Sequence, residues 1–471
     1  MAIVDSATSG HDDASGKSAN GLGDSMSIRG LAGVLRAGSA LGLLVVATAQ
    51  ANAGGFALRE QSTYGQGTSF AGIAAGGALS SMFWNPATMT QFADKGIEVG
   101  ASAIFPFANN TPIAGTLVGP PFNFGGTTDT GSDALVPNSY FTYQFNSNLW
   151  LGLAVNSPFG LTAHFPDLWA GRNYGANISK LTTYNAAPSL AYRFNDWISV
   201  GIGAQIQFAR VTLNQGLLVP TQQGVFFPDA TLHGDDWAFG LTAGVTITPT
   251  PTTTIGIGYR SGLNQKIDGS LVLTSVLGPF SNGSVHTTVD LPDVVSLGVR
   301  QRVTPQLTLL GTAEWSNWSR IGTSNILQAS GAPALINGNP VKIPFEYRDG
   351  WFFSGGAEYQ WSDRLTLRSG VAYEISPVTD QVRIPLVPDN NRVWASIGAS
   401  WQVWKGFSFD LAYSHIWVKD PSINVSLASG NPQFTGVTYI GDSKAHVDIL
   451  SLALVFRWGA PEPAPRPIVT K

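Results

Sequence analysis

The chain contains no cysteine, which excludes disulfides and thiolate metal sites and agrees with export from the cytoplasm. Charge is scarce: Asp, Glu, Lys and Arg make up 12% of the 471 residues, against about 25% in soluble domains. A soluble protein of this length needs more charge on its surface; one whose outer face meets lipid does not. The net charge of −4 offers no basic footprint for nucleic acid. Six histidines stand in no metal-ligand spacing, so neither a metal nor a cofactor is expected. Beyond residue 95 no apolar run is long enough for a membrane helix. No composition shift marks a domain boundary after residue 90, which favours one large unit over the two or three domains expected at roughly 150 residues each. Glycine, at 54 residues, and aromatics, at 11%, are plentiful instead.

The N-terminus carries a different signal. Arg29 and Arg36 precede an apolar run from Ala37 to Ala49, followed by Ala51-Asn52-Ala53. A positive segment, a short apolar segment and small residues at a cleavage point make a secretory signal peptide. The run is too short for the roughly 20 residues of a membrane anchor. Cleavage after Ala53 would leave Gly54 at the mature N-terminus, and Met26 is an alternative start. Residues 1–53 are therefore read as extension and signal. The last segment, 459–471, "GAPEPAPRPIVTK", is read as an extended Pro-rich tail.

Between them alternation is pervasive. Period-2 segments bounded by turn residues fall at 96–107, 136–146, 149–161, 180–195, 197–215, 235–249, 253–271, 283–304, 306–321, 340–362, 364–378, 389–404, 406–420 and 444–458. Short turns follow the even-numbered segments. Long loops rich in Gly, Asn, Pro and Ser, such as 108–135, 216–234, 322–339 and 421–443, follow the odd ones. An even count of about fourteen strands, with short turns at one rim and long loops at the other, describes an all-β antiparallel transmembrane β-barrel over 95–458. Leu450, Leu452, Leu454, Phe456 and Trp458 would face lipid, and Ser451, Ala453, Val455 and Arg457 the lumen. The same parity places Arg300, Glu314, Glu358, Arg368 and Glu374 inside, because each would cost a few kcal/mol facing mid-bilayer lipid.

Residues 54–94, Gly- and Ser-rich with short helical stretches, fit neither a strand series nor a separate domain. A lumen of this size needs filling, and the segment is read as an inward-folded hatch. The third segment holds a further irregularity. "LWLGLAV" alternates cleanly and is then interrupted by "NSPFG", Asn156 to Gly160. Pro158 cannot donate to a ladder and Gly160 permits a bend. The residues alone leave two readings equal: a bulge near a rim, or an opening in the wall.

The opening of the mature chain, "GGFALREQSTYGQGTSFAG", with "NPA" at Asn85-Pro86-Ala87, resembles the hatch of FadL-type outer-membrane transporters of long-chain fatty acids. "NSPFGLTAHFPDLWAGR", "YRDGWFFSGGAEYQW" and "PDNNRVWASIGASW" continue the likeness in order along nearly the whole mature chain. The resemblance implies a fourteen-stranded barrel with an N-terminal hatch. It also implies a third strand kinked inward at Asn156, Ser157, Pro158, Phe159 and Gly160, opening the wall sideways.

Function follows as an expectation: passive uptake of hydrophobic molecules, long-chain fatty acids first, with lateral release. An aromatic-hydrocarbon channel of the toluene/xylene type is the alternative. Phe56 is the candidate gate, and Asn85, Pro86 and Ala87 fix the hatch to the wall. Asp349 and Arg392 are candidates for polar hatch–barrel contacts. Arg210, Lys266 and Arg348 are possible partners for a substrate carboxylate. An outer-membrane hydrolase would need a nucleophile constellation, but no motif pairs His164, His233 or His286 with a serine. Expected partners are the substrate, outer-membrane lipid and lipopolysaccharide, and the barrel-assembly machinery, with the chain acting as a monomer.

Overall fold

In the computed structural model, residues 54–458 are described, apart from 114–125, 167–168, 218, 222–223, 227, 276–277 and 337. The expected signal peptide (1–53) and Pro-rich tail (459–471) lie outside the described residues. Fourteen antiparallel wall strands are found among the described residues. They are β1 (Lys95–Pro112), β2 (Ala134–Gln144), β3 (Leu149–Asn156 and Gly160–His164), β4 (Ile178–Arg193) and β5 (Ile198–Gly216). Next come β6 (Asp229–Thr250), β7 (Thr253–Arg260 and Asn264–Ser275), β8 (Gly278–Asp290 and Val294–Arg302), β9 (Leu307–Ser316) and β10 (Gly350–Gln360). The series ends with β11 (Leu365–Ile375), β12 (Arg392–Trp404), β13 (Phe407–Val418) and β14 (Tyr439–Trp458). Pairing of β1 with β14 from Lys95↔Trp458 to Pro112↔Gly441 closes the barrel.

Alternation sets the two faces. Leu450 and Leu452 are 49% and 50% exposed, while Ser451 and Ala453 between them are buried. The exposed row forms the lipid-facing belt. Exposed Trp197, Trp361, Trp404 and Trp458 stand beside the short turns, the girdle positions where an amphipathic ring suits a membrane interface. The two-residue turn Lys405-Gly406 joins β12 to β13, and Gly406 takes a φ of +83°.

Three wall strands are broken, β3 at the interruption expected at Asn156–Gly160 and β7 and β8 where a continuous strand was expected. β3 loses its ladder at Ser157–Phe159, β7 at Ser261–Leu263, and β8 at Leu291–Asp293. Pro158, Gly262 and Pro292 supply the chemistry for each break. The segment expected at 340–362 becomes a wall strand only from Gly350. Before it, Lys342–Pro344 pairs with Thr323–Asn325 as a separate hairpin. β9 stops at Ser316, and the 3₁₀ turn Trp318–Ile321 follows.

Residues 54–93 occupy the lumen. A short helix, Thr63–Gln66, is capped by the Ser62 hydroxyl accepting from the Gly65 N–H. Three 3₁₀ turns follow, at Ile73–Ala75, Leu79–Phe83 and Pro86–Gln91. The abundance of glycine in the wall has a direct cause here. A Cβ on Gly256 would stand 1.9 Å from the Ala74 carbonyl oxygen, and one on Gly258 1.8 Å from that of Trp84. Bare backbone on the inner face of β7 lets the hatch backbone lie directly on the wall.

Candidate functional site: a lumen cavity, an aromatic partition and a broken wall

The hatch meets the broken β3 through its backbone. The β2–β3 ladder ends at Ser139↔Val155, and the outer half of β3, Gly160–His164, pairs with β4 but not with β2. Hatch residues take the place of the missing neighbour. Leu58 N–H donates to the Pro158 carbonyl at 2.8 Å, and Gly160 N–H donates to the Phe56 carbonyl at 2.9 Å. The Gln61 side chain donates to the Ser157 carbonyl at 2.7 Å. On the other side Thr183 of β4 accepts from Phe159 N–H at 3.0 Å, and its carbonyl accepts from the Ser157 hydroxyl at 2.6 Å. Asn156 accepts from the Asn185 amide at 3.0 Å. The kink is thus fully buried and tied inward, which meets the rule that buried backbone groups find partners.

Phe56 sits at the centre of an aromatic cluster. Its ring lies 4.8 Å from Trp318, 6.1 Å from Phe345 and 6.4 Å from Phe159, centre to centre, and it is 4% exposed. A cavity of about 550 Å³ has walls that include Phe56, Leu181, Leu232, Ile267, Val289 and Ile343. A smaller space of about 70 Å³ is bounded by Pro158, Leu263, Pro292 and Trp351 together with Phe159 and Trp318, the ring partners of Phe56. The small space therefore touches all three wall breaks. The β7/β8 break is sealed by Asp293, which accepts from Gly262 N–H at 2.9 Å and pairs with Arg320 at 2.6 Å.

Asn85 reaches both hatch and wall: its amide donates to the Ala74 carbonyl at 2.8 Å and to Val245 of β6 at 2.9 Å. Its carbonyl oxygen accepts from Ala87 N–H at 3.0 Å, and Pro86 opens the following 3₁₀ turn. Inward charges pair across the lumen. Glu358 joins Arg300 at 3.1 Å and Arg368 at 2.9 Å, and accepts from the hatch Tyr64 hydroxyl at 2.5 Å. Arg59 of the hatch meets Glu314 at 2.8 Å.

The remaining expected site residues fall in different places. Asp349 holds no hatch residue; it accepts from Trp315 Nε1 at 3.0 Å and Ser319 N–H at 3.1 Å at the outer end of β9. Arg392 pairs with buried Asp389, and it is Asp389 that accepts the hatch Gly55 N–H, at 2.9 Å. Sequence reasoning passed over Asp389, although it stands in the quoted "PDNNRVW". None of the three expected carboxylate partners lines the cavity. Arg210 is 59% exposed on the outer face beside Phe208 and Asp235. Lys266 is exposed, because the buried residues on either side of it, Gln265 and Ile267, take the inward positions. Arg348 is exposed in a loop and donates to the Ser376 carbonyl at 3.0 Å. Among the described residues no group of acidic, His or Cys side chains could hold a metal ion.

Residues 44–458 match the model of a family described as outer membrane protein transport protein (OMPP1/FadL/TodX). The long-chain fatty acid transport protein of Escherichia coli K12 is 27% identical over 428 residues, covering 82% of this chain and 93% of that protein. A FadL homologue from Pseudomonas aeruginosa has a similar fold, with a TM-score of 0.75 at 23% identity, over 86% of this chain and 99% of that one. The toluene transporter TodX of Pseudomonas putida superposes with a TM-score of 0.63 at 14% identity, over 86% and 99%.

Proposed function

This chain belongs to the outer membrane protein transport protein family (OMPP1/FadL/TodX), and from that premise we propose that it is a passive uptake channel for hydrophobic molecules, long-chain fatty acids first. The observation that carries the reading is the aromatic partition. Phe56 lines the mostly apolar large cavity, and its ring partners Phe159 and Trp318 line the smaller space at the place where β3 leaves β2. A substrate descends from the outer loops into the cavity, passes the Phe56 cluster, and leaves sideways beside Asn156–Gly160 into the bilayer. Each methylene kept from water along this path is worth about 0.8 kcal/mol, so the gradient of the substrate itself suffices and no cofactor takes part. Phe56 acts as the gate, while Asn85 and the Asp389–Arg392 pair hold the hatch. The exposed apolar belt meets outer-membrane lipid and lipopolysaccharide. The chain works as a monomer inserted by the barrel-assembly machinery, and it hydrolyses nothing.

A second substrate class, aromatic hydrocarbons, is favoured by one observation: no buried cation lines the cavity among the described residues. The test is uptake of labelled oleate by cells lacking their own fatty-acid channel and expressing this protein. Alongside it runs a variant in which Asn156–Gly160 is replaced by a regular strand segment. Uptake by the wild type that is lost in the surface-displayed variant is the expected result. Absence of oleate uptake with uptake of toluene would transfer the function to the second class.

A further inference from the structure

The large cavity is mostly apolar, with polar side chains such as Asn214, Gln215 and Gln433 also in its lining, and three of its polar residues stand apart. Gln265 on β7, Thr287 on β8 and Ser324 on the hairpin strand Thr323–Asn325 line it, and they are only 2%, 5% and 2% exposed. Neither Nε2 nor Oε1 of Gln265 has a hydrogen-bond partner, nor has the Thr287 or the Ser324 hydroxyl. Buried polar atoms are almost always paired, so four unmet atoms on three neighbouring residues of one cavity wall call for a partner. The strands bring them together. Gln265 opposes Val289, and Ile267 opposes Thr287, so Gln265 and Thr287 are diagonal neighbours on one inward face. The hairpin carrying Ser324 packs against β8.

We propose that Gln265, Thr287 and Ser324 form a head-group site in this cavity for an amphipathic chain whose head is uncharged and carries both a donor and an acceptor. A protonated fatty acid, a fatty amide and a fatty alcohol share that chemistry. The inference rests on the transport reading and specifies its substrate. A carboxylate only accepts; it would leave Gln265 Oε1 unmet and would bury a charge with no counter-ion. A neutral acid donates its O–H to Oε1 and accepts from Nε2, a two-point match. The titratable side chains lining the cavity are Tyr174, Tyr347 and Lys342. The Tyr174 hydroxyl donates to the Val437 carbonyl, burial keeps the Tyr347 hydroxyl protonated well above the ordinary tyrosine range, and Lys342 is exposed.

The full chain in nanodiscs should be titrated with oleamide, oleate and 1-octadecene between about pH 5.5 and about 8.5, a range in which carboxyl, amide and hydrocarbon heads differ in ionisation. Oleamide affinity is expected to be independent of pH and higher than that of octadecene. Oleate affinity is expected to fall by up to roughly tenfold per pH unit once the bound acid must be protonated from a largely ionised pool. Gln265→Leu should remove most of the preference for oleamide over octadecene, and Thr287→Val, on the neighbouring strand, should reduce it in the same direction. Lys342→Gln should change none of the three affinities. The proposal is overturned if oleate binds equally across the pH range and is lost in K342Q, or if neither Q265L nor T287V alters the oleamide preference. If octadecene binds but oleamide binds no better, the head-group site fails and the channel reading stands. Failure of all three ligands to bind overturns both.

Discussion

Gly160 in the broken third strand donates its backbone N–H to the carbonyl of Phe56 in the hatch at 2.9 Å, so the residue at the centre of the aromatic partition is also the one that pairs with the wall break. Motion of the hatch N-terminus and opening of the wall are therefore coupled by a main-chain hydrogen bond. Deleting residues 54–58 should leave the barrel folded but strip the Pro158 carbonyl and the Gly160 N–H of their hatch partners, with Gln61 still on Ser157. Amide exchange of peptides spanning the kink should then accelerate, with peptides from β12 to β14 unchanged. Equal protection of the kink in both proteins would mean that Thr183 and Gln61 suffice to hold it.

Phe56→Ala should widen the passage between the two cavities. Removing a buried Phe ring costs on the order of 3–5 kcal/mol where surroundings cannot collapse, and here Trp318, Phe159 and Phe345 are all in ring contact with it. Uptake at saturating substrate should rise while affinity for substrate falls. An unchanged rate would locate the barrier elsewhere on the path.

Gly258→Val tests the seating of the hatch. The added side chain begins 1.8 Å from the Trp84 carbonyl oxygen, a backbone atom that cannot swing away. The expected outcome is an assembled barrel with a displaced hatch, seen as new protease sites in residues 60–90 and leakage of small polar solutes. A protease-resistant hatch would show that β7 can retreat instead.

Asp349 should stabilise its outer loop in a pH-dependent way. Burial raises its pKa, but the hydrogen bonds from Ser319 and Trp315 outweigh this and hold the carboxyl below its ordinary range. A group depressed on folding contributes stability above its unfolded pKa of about 3.9 and loses it as pH falls through the folded value. Wild type should therefore resist loop proteolysis better than Asp349→Asn at neutral pH, and the difference should vanish in acid below the folded pKa. A difference that persists there would point to shape, not charge.

The wall was legible in the sequence because alternation of residues such as Leu450, Ser451 and Leu452 reports a face directly. The hatch was legible because residues 54–94 lack any such period. Orientation beside a break was not. Lys266 follows Gly262 in the interrupted part of β7, where parity carried across the break no longer assigns a face, and only the pairing of Gln265 with Val289 does so. The breaks in β7 and β8 had Gly262 and Pro292 as local signals, but a single Gly or Pro in a long apolar alternation is compatible with a simple bulge. Asp389 and the Gln265, Thr287 and Ser324 set were invisible for another reason. Their significance lies in what faces them from distant segments, and no sequence period encodes that.

Arg59 and Glu314 give the sharpest test of how the hatch is held. The guanidinium lies 2.8 Å from the carboxylate and 3.7 Å from the centre of the Phe352 ring, and Ser296 donates to the second carboxylate oxygen at 2.5 Å. Glu314 is buried and Arg59 mostly so, their side chains 5% and 12% exposed. Replacing one partner leaves a buried charge without its counter-ion, which typically costs about 3–5 kcal/mol, whereas replacing both by apolar groups of similar size is often neutral. Glu314→Gln alone should thus lower the temperature at which the hatch becomes protease-sensitive, and Arg59→Met alone should do the same. The double variant Arg59→Met/Glu314→Leu should recover most of the loss. A double variant no more stable than the worse single one would mean that the pair holds the hatch by geometry, through Phe352 and Ser296, and not by avoidance of an unpaired charge.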